Sequence, residues 1–250
     1  GDGAAGRRAD GPGDDRPLGL GTCLAVSLVC GVANGVMVIG LGVHPFIITL
    51  GTMWIVRGIA FVISRAESIL IPTPLTAVAK APLGLGTALY PVPLLSMLLV
   101  TIAGGVYLSR TVAGRHIFAV GGNPEASRFS GLNVSRITLG VFVLSGLAAG
   151  FAAFLGAAFY GSATSSDANG YELYVVASAV VGGASLSGGK GSAISAMLGA
   201  LLIVTMRQAI RTLHLDQNYE WIIIGTALIV AVVLDQRGWK KLAEKLSAPA

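Results

Sequence analysis

Long apolar runs alternate along this chain with short polar stretches, and seven such runs follow one another. They lie at Leu20–Gly42, His44–Ser64, Val92–Arg110, Ile137–Tyr160, Tyr171–Ala184, Ala193–Leu213 and Tyr219–Leu234. A helix that crosses a bilayer needs about 20 residues, within a range of about 17–25. Six runs come within a few residues of that length. Tyr171–Ala184 is short, and it predicts a crossing that extends into its flanks or a broken helix that lines a cavity.

The pattern therefore predicts an all-α fold, a polytopic transmembrane helix bundle with about seven spanning segments. Residues 1–19 are polar, rich in Gly and Asp, and without apolar periodicity, so we predict a disordered lead-in there. Residues 20–236 form the predicted transmembrane domain, and residues 237–250 form a basic tail. The chain does not begin with Met, which suggests a fragment or a processed form.

Composition supports the membrane assignment. The 250 residues are 54% hydrophobic and 12% charged, and the mean hydropathy is +0.76. Soluble domains carry about 25% charged residues. The 35 glycines suit a membrane bundle, because small residues let helices approach closely. The net charge of +5 does not indicate nucleic acid binding, because the basic residues lie between apolar runs and near the C-terminus.

The distribution of charge predicts the orientation. The polar stretch between the third and fourth runs has one acid, Glu125, against four arginines: Arg110, Arg115, Arg128 and Arg136. An excess of Arg and Lys marks a cytoplasmic loop. The basic tail is also predicted to be cytoplasmic. Four crossings between the Arg-rich stretch and the tail satisfy both assignments, and this favours a full crossing by Tyr171–Ala184. The stretch Arg65–Pro91 and the lead-in then lie outside.

The Arg-rich stretch contains the signals of a short capped helix over Asn123–Ser130. Asn123 suits the N-cap, and Pro124 suits the first turn. Glu125 would sit favourably near the positive end of the helix, and Gly131 suits its C-terminal stop. A capped surface helix is also an ordinary feature of a loop, so these signals alone do not assign a role.

The turn Gly182–Ser192 superficially resembles a phosphate-binding loop. That loop needs Gly-x-x-x-x-Gly-Lys-Ser/Thr, whereas Ala184 stands at the first Gly and Gly191 at the Ser/Thr position. We therefore predict that the chain binds no ATP, and that this turn lets two helices reverse tightly on the cytoplasmic side. The residues of this second cytoplasmic turn are Gly182, Gly183, Gly188, Gly189 and Lys190. Lys190 could equally serve only as a topological charge.

Polar residues inside apolar runs are candidates for a substrate pathway, because they are costly in lipid unless they face a partner or a cavity. Asn34 could instead form an interhelical hydrogen bond, while Thr49 and Thr52 are expected to bond their own backbone. Snorkelling to the interface is the default for Arg57, and a vestibule role is the alternative. A polar outer mouth is predicted from Tyr160, Ser162, Ser165, Ser166, Asp167, Asn169 and Glu172.

Other features favour packing over chemistry. Gly31 and Gly35, like Gly146 and Gly150, are spaced for close helix crossings. Cys23 and Cys30 lie seven residues apart on one predicted helix, about 10 Å along its axis, which is too far for a disulfide. The three histidines show no metal-ligand spacing. The runs contain almost no His, Asp or Glu away from their ends, so we predict neither a catalytic nor a metal site and disfavour an intramembrane enzyme.

Four motifs together cover about Gly31 to Asp235. They are Asn34-Gly35 with His44–Met53 and Arg57-Gly58; Gly114–Val134; Gly170–Leu173 leading into Val181–Gly191; and the closing apolar run that ends at Asp235. Each is weak alone, but in this order all four together resemble the ribose-type sugar permeases of ATP-binding-cassette (ABC) importers. Members of that family usually have about ten spanning helices, so the resemblance implies that about three N-terminal helices are absent.

The resemblance implies a permease subunit, not an enzyme, in a bacterial inner membrane. It implies an ABC ATPase that binds ATP and Mg, a second permease copy or homologue, and a periplasmic or lipid-anchored sugar-binding protein. The implied ATPase-coupling loop comprises Gly121, Gly122, Asn123, Glu125, Ala126, Ser130 and Gly131. A permease for branched-chain amino acids or another small solute remains an alternative, as does a truncated, non-transporting remnant. The sugar itself is not predicted.

Overall fold

The computed structural model describes residues 15–71, 76–77, 79–80, 91–214, 216, 218–219, 221–223, 225–227, 229–230 and 233. The elements in order are α1 (Asp15–Leu41), α2 (Pro45–Ser64), β1 (Ile69–Leu70), α3 (Pro91–Arg110), α4 (Val112–Gly122), α5 (Pro124–Phe129), α6 (Val134–Tyr160), β2 (Ser162–Ala163), α7 (Tyr171–Val181) and α8 (Ala193–Thr212). The predicted all-α class is confirmed.

Within the described residues, five helices are long and apolar enough to cross a membrane: α1, α2, α3, α6 and α8. The short run predicted at Tyr171–Ala184 forms the shorter helix α7, which ends at Val181. With 11 residues, α7 is shorter than a spanning helix needs to be, and irregular segments flank it at both ends. The last run, Tyr219–Leu234, lies partly outside the described residues, and those of its residues that are described are helical.

Some boundaries differ from the prediction. Helix α1 begins at Asp15, so residues 15–19 of the predicted polar lead-in are helical. Residues 1–14 and the tail 237–250 lie outside the described part. Helix α6 begins one turn earlier than the apolar run, because Asn133 accepts a hydrogen bond from the Arg136 amide at 3.0 Å and caps it. Capping signals, rather than hydropathy, set that boundary.

Helices α1 and α6 run antiparallel and make the most extensive contact between elements in the described residues. Their backbones touch at the predicted glycine pairs. A methyl group at Gly31 would lie 2.7 Å from the Phe142 carbonyl oxygen, and one at Gly146 would lie 2.6 Å from that of Ser27. Small residues thus bring the two helices together, as predicted.

Helices α7 and α8 form a second antiparallel pair. Tyr174, Ala177 and Ile203 are the buried cluster between them, with exposures of 9%, 0% and 2%. Near the turn that joins the pair, a methyl group at Gly199 would lie 2.7 Å from the Gly182 amide nitrogen. Most large apolar side chains elsewhere are exposed, as expected for helices whose outer faces meet lipid.

Two sets of connecting segments mark opposite ends of the bundle. At one end, β1 and β2 pair antiparallel, with Ile69 opposite Ala163. At the other end, α4 meets the turn between α7 and α8. Helix α6 runs from one end to the other. The end with β1 and β2 is called the outer end below, and the other the inner end, following the charge-based orientation.

The helix α4 was not predicted. The sequence predicts a loop with one short helix after Arg110, yet Val112–Gly122 is helical. Thr111 caps it by accepting a hydrogen bond from the Gly114 amide at 3.0 Å. Gly114 permits a sharp bend between α3 and α4, because a methyl group there would meet the carbonyl groups of Tyr107 and Leu108.

Candidate functional site

The inner end contains the predicted capped helix, now α5. The Asn123 side-chain oxygen accepts a hydrogen bond from the Ala126 amide at 2.9 Å, and Pro124 occupies the first turn. The Ser130 hydroxyl donates to the Ala126 carbonyl at 2.9 Å. Gly131 follows with φ +82, the left-handed conformation typical of a helix stop. The local structure predicted for this loop is therefore confirmed.

Helix α5 presents one large apolar side chain to its surroundings. Phe129 is 90% exposed, although the inner end lies beyond the spanning helices. Glu125 and Arg128 are also exposed, whereas Ser127 is buried toward the bundle. An exposed aromatic ring among charged residues is typical of a protein contact surface. Sequence analysis did not single out Phe129; an aromatic residue in a polar, capped helix was the available signal.

The second cytoplasmic turn is held by its own backbone. The Ser185 amide donates to the Lys190 carbonyl at 3.1 Å, and the Gly188 amide donates to the Ser185 carbonyl at 3.1 Å. Gly183, Gly188 and Gly189 have φ values of +93, +86 and +74, which residues other than glycine rarely adopt. These hydrogen bonds and φ values fold the turn back on itself. The tight reversal predicted for Gly182–Ser192 is present, and the side chain of Lys190 is exposed.

The two inner elements touch each other, which was not predicted. The last residues of α4, Gly121 and Gly122, lie against Gly188 and Gly189 of the turn. A methyl group at Gly121 would lie 2.8 Å from the Gly189 amide nitrogen, and one at Gly189 would lie 2.6 Å from the Gly122 Cα. The structure thus brings the predicted coupling loop and the second turn into direct backbone contact.

Among the pathway candidates, Asn34 and Thr52 meet between α1 and α2. The Thr52 hydroxyl lies 2.6 Å from the Asn34 side-chain oxygen and within 3.1 Å of the backbone carbonyls of Ile48 and Thr49. The Thr49 hydroxyl lies 3.0 Å from the Pro45 carbonyl oxygen. Asn34 therefore takes part in an interhelical hydrogen bond, and Thr49 and Thr52 bond the backbone of their own helix, as the packing alternatives predicted.

Asn34 and Thr49 also line a groove of about 650 Å³ between α1, α2 and α6. Ser27 and Ser145 add hydroxyl groups to walls that are otherwise apolar. Cys23 and Cys30 are free thiols and lie on the same groove, as small residues of the wall. The groove offers a few polar atoms in an apolar lining, which is the general character of a small-molecule site.

Arg57 points across the bundle to the outer end. One guanidinium nitrogen donates to the Ser165 carbonyl at 3.3 Å, and the hydroxyls of Ser64 and Ser165 lie 2.6 Å apart. Its Nε is buried without a hydrogen-bond partner in the described residues. Arg57 is thus partly buried against the loop before α7 instead of snorkelling to the interface. Asn169 and Glu172 are exposed at the start of α7.

Asp167 organises the same outer loop. Its carboxylate accepts hydrogen bonds from the Thr164 hydroxyl at 2.6 Å and from the Thr164 amide at 2.7 Å. The bond from the Thr164 hydroxyl, and to a smaller extent the bond from its amide, holds the pKa of the Asp167 carboxyl below its ordinary value. The outer loop is therefore ordered by side-chain hydrogen bonds.

Arg207 in α8 is a further charged residue that sequence analysis missed. Its guanidinium carbon lies 4.5 Å from the ring centroid of Tyr174 and 5.5 Å from that of Tyr171. Tyr174 in turn lies 5.8 Å from Trp221. An Arg within an apolar run was the available signal, because such residues are rare in spanning helices. The cluster ties the start of α7 to α8 through cation–π contacts.

Comparison with known proteins places this arrangement in a family. Residues 12–232 match the family model described as branched-chain amino acid transport system / permease component. That match covers most of the chain. The chain belongs to this permease family. No solved structure matches it.

Similar curated relatives include two sugar permeases of Escherichia coli (strain K12). The chain is 38% identical to the D-allose transport system permease protein AlsC over 208 residues, covering 82% of this chain and 62% of AlsC. It is 33% identical to the ribose import permease protein RbsC over 221 residues, covering 88% of this chain and 69% of RbsC. The fructose import permease protein FrcC of Rhizobium meliloti is 31% identical over 218 residues, covering 85% of this chain and 61% of FrcC. The resemblance to ribose-type permeases is confirmed.

Proposed function

We propose that this chain is a permease subunit of an ATP-driven importer and carries a monosaccharide across the membrane. The observation that carries the proposal is its similarity to AlsC and RbsC over more than four fifths of its length. The membrane-capable helices agree with that role. The chain spans 62% of AlsC and 69% of RbsC, so the activity of the whole protein belongs to the proposal.

The partners follow from this role. An ABC ATPase would bind ATP and Mg and dock at the inner end, on α5 and the second cytoplasmic turn. A second permease copy or homologue would complete the pathway, and a periplasmic or lipid-anchored binding protein would deliver the sugar at the outer end. The inner, or cytoplasmic, membrane of a bacterium is the proposed location.

The charges of the two ends support this orientation. Arg110, Arg115, Arg128, Arg136 and Lys190 all belong to the inner end, where Glu125 is the acid of the connecting segments. The described outer connections have Glu67, Asp167, Glu172 and Asp216 beside Arg65, Lys80 and Arg211. The excess of positive charge therefore lies at the end where the ATPase would dock, in line with the positive-inside rule.

The polar groups of the groove between α1, α2 and α6 are the proposed contact for sugar hydroxyls. Asn34 and Thr49 supply amide and hydroxyl groups there, and Thr52 is hydrogen-bonded to the Asn34 side chain. They are few, so we expect weak, transient contact with the cargo, as suits a conduit fed by a binding protein. Arg57, Asn169 and Glu172 belong to the proposed outer part of the same path.

Uptake by proteoliposomes tests the cargo class. The permease would be assembled with an ATPase and a binding protein from the same gene neighbourhood, and radiolabelled pentoses, hexoses and branched-chain amino acids would be offered. We expect ATP-dependent uptake of a pentose or hexose. Uptake of leucine or valine with no sugar uptake would instead favour the amino acid function named in the family description. Absence of any uptake would favour a non-transporting remnant.

Substitutions on α5 test the docking surface. We expect Phe129→Ala to weaken ATPase binding about tenfold, because an exposed aromatic residue at a contact surface is a frequent hot spot. Glu125→Gln and Gly131→Ala should also lower stimulated hydrolysis. The matched control is Ile63→Ala, which removes a side chain that is 77% exposed at the outer end. If Phe129, Glu125 and Gly131 substitutions leave binding and hydrolysis at the level of the control, the docking surface is misplaced.

A further inference from the structure

The contact between α4 and the second turn consists of backbone against backbone. A methyl group at Gly188 would meet the Gly121 carbonyl, and one at Gly189 would lie 2.9 Å from the Gly122 amide nitrogen and 3.4 Å from the Phe118 carbonyl oxygen. Three of these four glycines therefore leave no room for a side chain. Closely packed interiors transmit displacement, because they are hardly compressible.

Short, ordered segments lie on both sides of this contact. On one side, α5 begins directly after Gly122, with Asn123 as its N-cap. On the other side, the turn leads to Gly182, where a methyl group would lie 2.9 Å from the Ala196 Cα. No flexible side chain is interposed between these described segments that could absorb a small shift between α4 and the turn.

We propose that the contact of Gly121 with Gly188 and Gly189 forms a coupling joint, through which a movement of α5 displaces α7 and α8. This inference rests on the proposed function, since an ATPase docked on α5 supplies the movement. The second cytoplasmic turn then acts mainly by transmitting motion from α4, and Gly188 and Gly189 are positioning residues for transport.

Helix α7 connects the joint to the loop at the outer end. It is short, and its outer end continues into the loop that Arg57 and Ser64 hold through Ser165. Tyr174 fixes its side to α8 through Arg207 and the buried cluster. A shift at the joint would therefore reach the outer loop, where the sugar would enter the proposed pathway.

Two glycines at the end of α4 provide a matched pair for the test. Gly121→Ala places a methyl group 2.8 Å from the Gly189 amide nitrogen, whereas Gly122→Ala places one 3.8 Å from the Gly189 Cα, an ordinary contact. Both positions are helical, so both gain the same helix propensity. We expect uptake per ATP hydrolysed to fall about tenfold in Gly121→Ala and to stay within twofold of wild type in Gly122→Ala. ATPase binding should persist in both.

A second matched pair lies in the turn. Gly188 and Gly183 have similar positive φ values, +86 and +93, so alanine strains both equally, but only Gly188 faces the α4 backbone. Gly188→Ala should lower uptake per ATP as Gly121→Ala does, and Gly183→Ala should not. A merely structural defect would lower uptake and hydrolysis together and leave uptake per ATP unchanged. If uptake per ATP is the same for the two variants within each pair, the joint is refuted.

Hydrogen exchange keeps the inference testable without a variant. Binding of the ATPase to the wild-type permease should slow amide exchange in α5 and also in α7. Slowing confined to α5 would overturn the joint. If no ATPase binds, the proposed function fails, and the joint is tested on the permease alone. Amide exchange in α7 should then be faster in Gly121→Ala than in wild type, and unchanged in Gly122→Ala. The same exchange rate in both variants would refute the joint.

Discussion

The two ends of the bundle are held together in different ways. At the inner end, glycines let α4, α7, α8 and the second cytoplasmic turn meet backbone to backbone. At the outer end, hydroxyl, carboxylate and guanidinium groups join the loops, as in the bonds from Ser64 and Arg57 to Ser165. At the inner end, several glycines leave no space for an added methyl group: Gly121, Gly182, Gly188, Gly189 and Gly199. At the outer end, the short β1–β2 backbone pair is supplemented by separate side-chain bonds, each of which can be exchanged.

This difference indicates which end can transmit movement and which can open. A backbone contact without side chains shifts as a unit, whereas hydrogen bonds near water are individually worth about 0.5–1.5 kcal/mol and can break one at a time. The proposed ATPase would act at the inner end, and the sugar would enter at the outer end. The construction of each end therefore suits its proposed role.

The largest expected effect is at the inner end, on the packing of α7 against α8. Gly199→Ala places a methyl group against the Ser178 carbonyl and 2.7 Å from the Gly182 amide nitrogen. Overpacking of this kind costs about 1–3 kcal/mol. We expect less folded protein in membranes and a lower unfolding temperature, measured by fluorescence in detergent.

The matched control for this substitution is Gly140→Ala in α6, where a methyl group would meet nothing within 4 Å. Both changes favour the helix by about 1 kcal/mol over glycine, so their difference isolates the packing cost. Similar unfolding temperatures for the two variants would mean that α7 and α8 are not in backbone contact.

A smaller effect is expected at the outer end from Arg57. In Arg57→Gln the hydrogen bond to the Ser165 carbonyl loses its charge, and hydrogen bonds to charged groups contribute about 1.5–3 kcal/mol. The substitution also removes the buried Nε, which has no hydrogen-bond partner among the described residues. Because burying such a group is unfavourable, its removal offsets part of the lost hydrogen-bond energy. We expect faster amide exchange in residues 162–170, with the unfolding temperature nearly unchanged.

Arg57→Lys is the conservative comparison, since it keeps the charge but not the geometry of the guanidinium group. Exchange in the outer loop should lie between that of wild type and Arg57→Gln. If both variants protect the loop as wild type does, then Ser64 and the strand pair hold it without Arg57.

Between the two ends, the Asn34–Thr52 contact should have a modest effect. Interhelical hydrogen bonds in membranes average about 0.6 kcal/mol and reach about 1.7 kcal/mol. Thr52 also has backbone acceptors within its own helix, so we expect a coupling free energy near the lower value. A double-mutant cycle with Asn34→Ala and Thr52→Val, followed by unfolding in detergent, measures it. A coupling of zero would mean that Thr52 donates only to its own backbone.

The sequence was sufficient for the elements whose signals are local. Apolar runs predicted six of the helices to within about five residues, and the cap residues Asn123 and Gly131 predicted α5. Glycine pairs such as Gly31 with Gly35 predicted a close helix crossing. These features depend on residues near one another in the chain, where hydropathy and capping preferences act.

Features that depend on distant contacts could not be predicted in this way. Helix α4 lies in a polar stretch, and its position follows from the bend at Gly114 and from its contact with Gly188 and Gly189. The pairing of Ile69 with Ala163 joins residues far apart in sequence. Gly-rich motifs indicate that a close approach is possible, but they do not identify the partner.

The smallest effect concerns Asp167, on the exposed outer loop. Because its bonds from Thr164 lower the pKa of the folded carboxyl below the ordinary value of 3.8, the ionised form favours the ordered loop. That contribution is fully present above the ordinary pKa and disappears as pH falls through the lower, folded value. A fluorophore on Asn169→Cys, in a chain with Cys23 and Cys30 replaced by Ser, should therefore show constant anisotropy from about pH 7 down to about pH 5 and increased mobility only in acid. Asp167→Asn should abolish this acid transition, and an unchanged transition would assign it to another group.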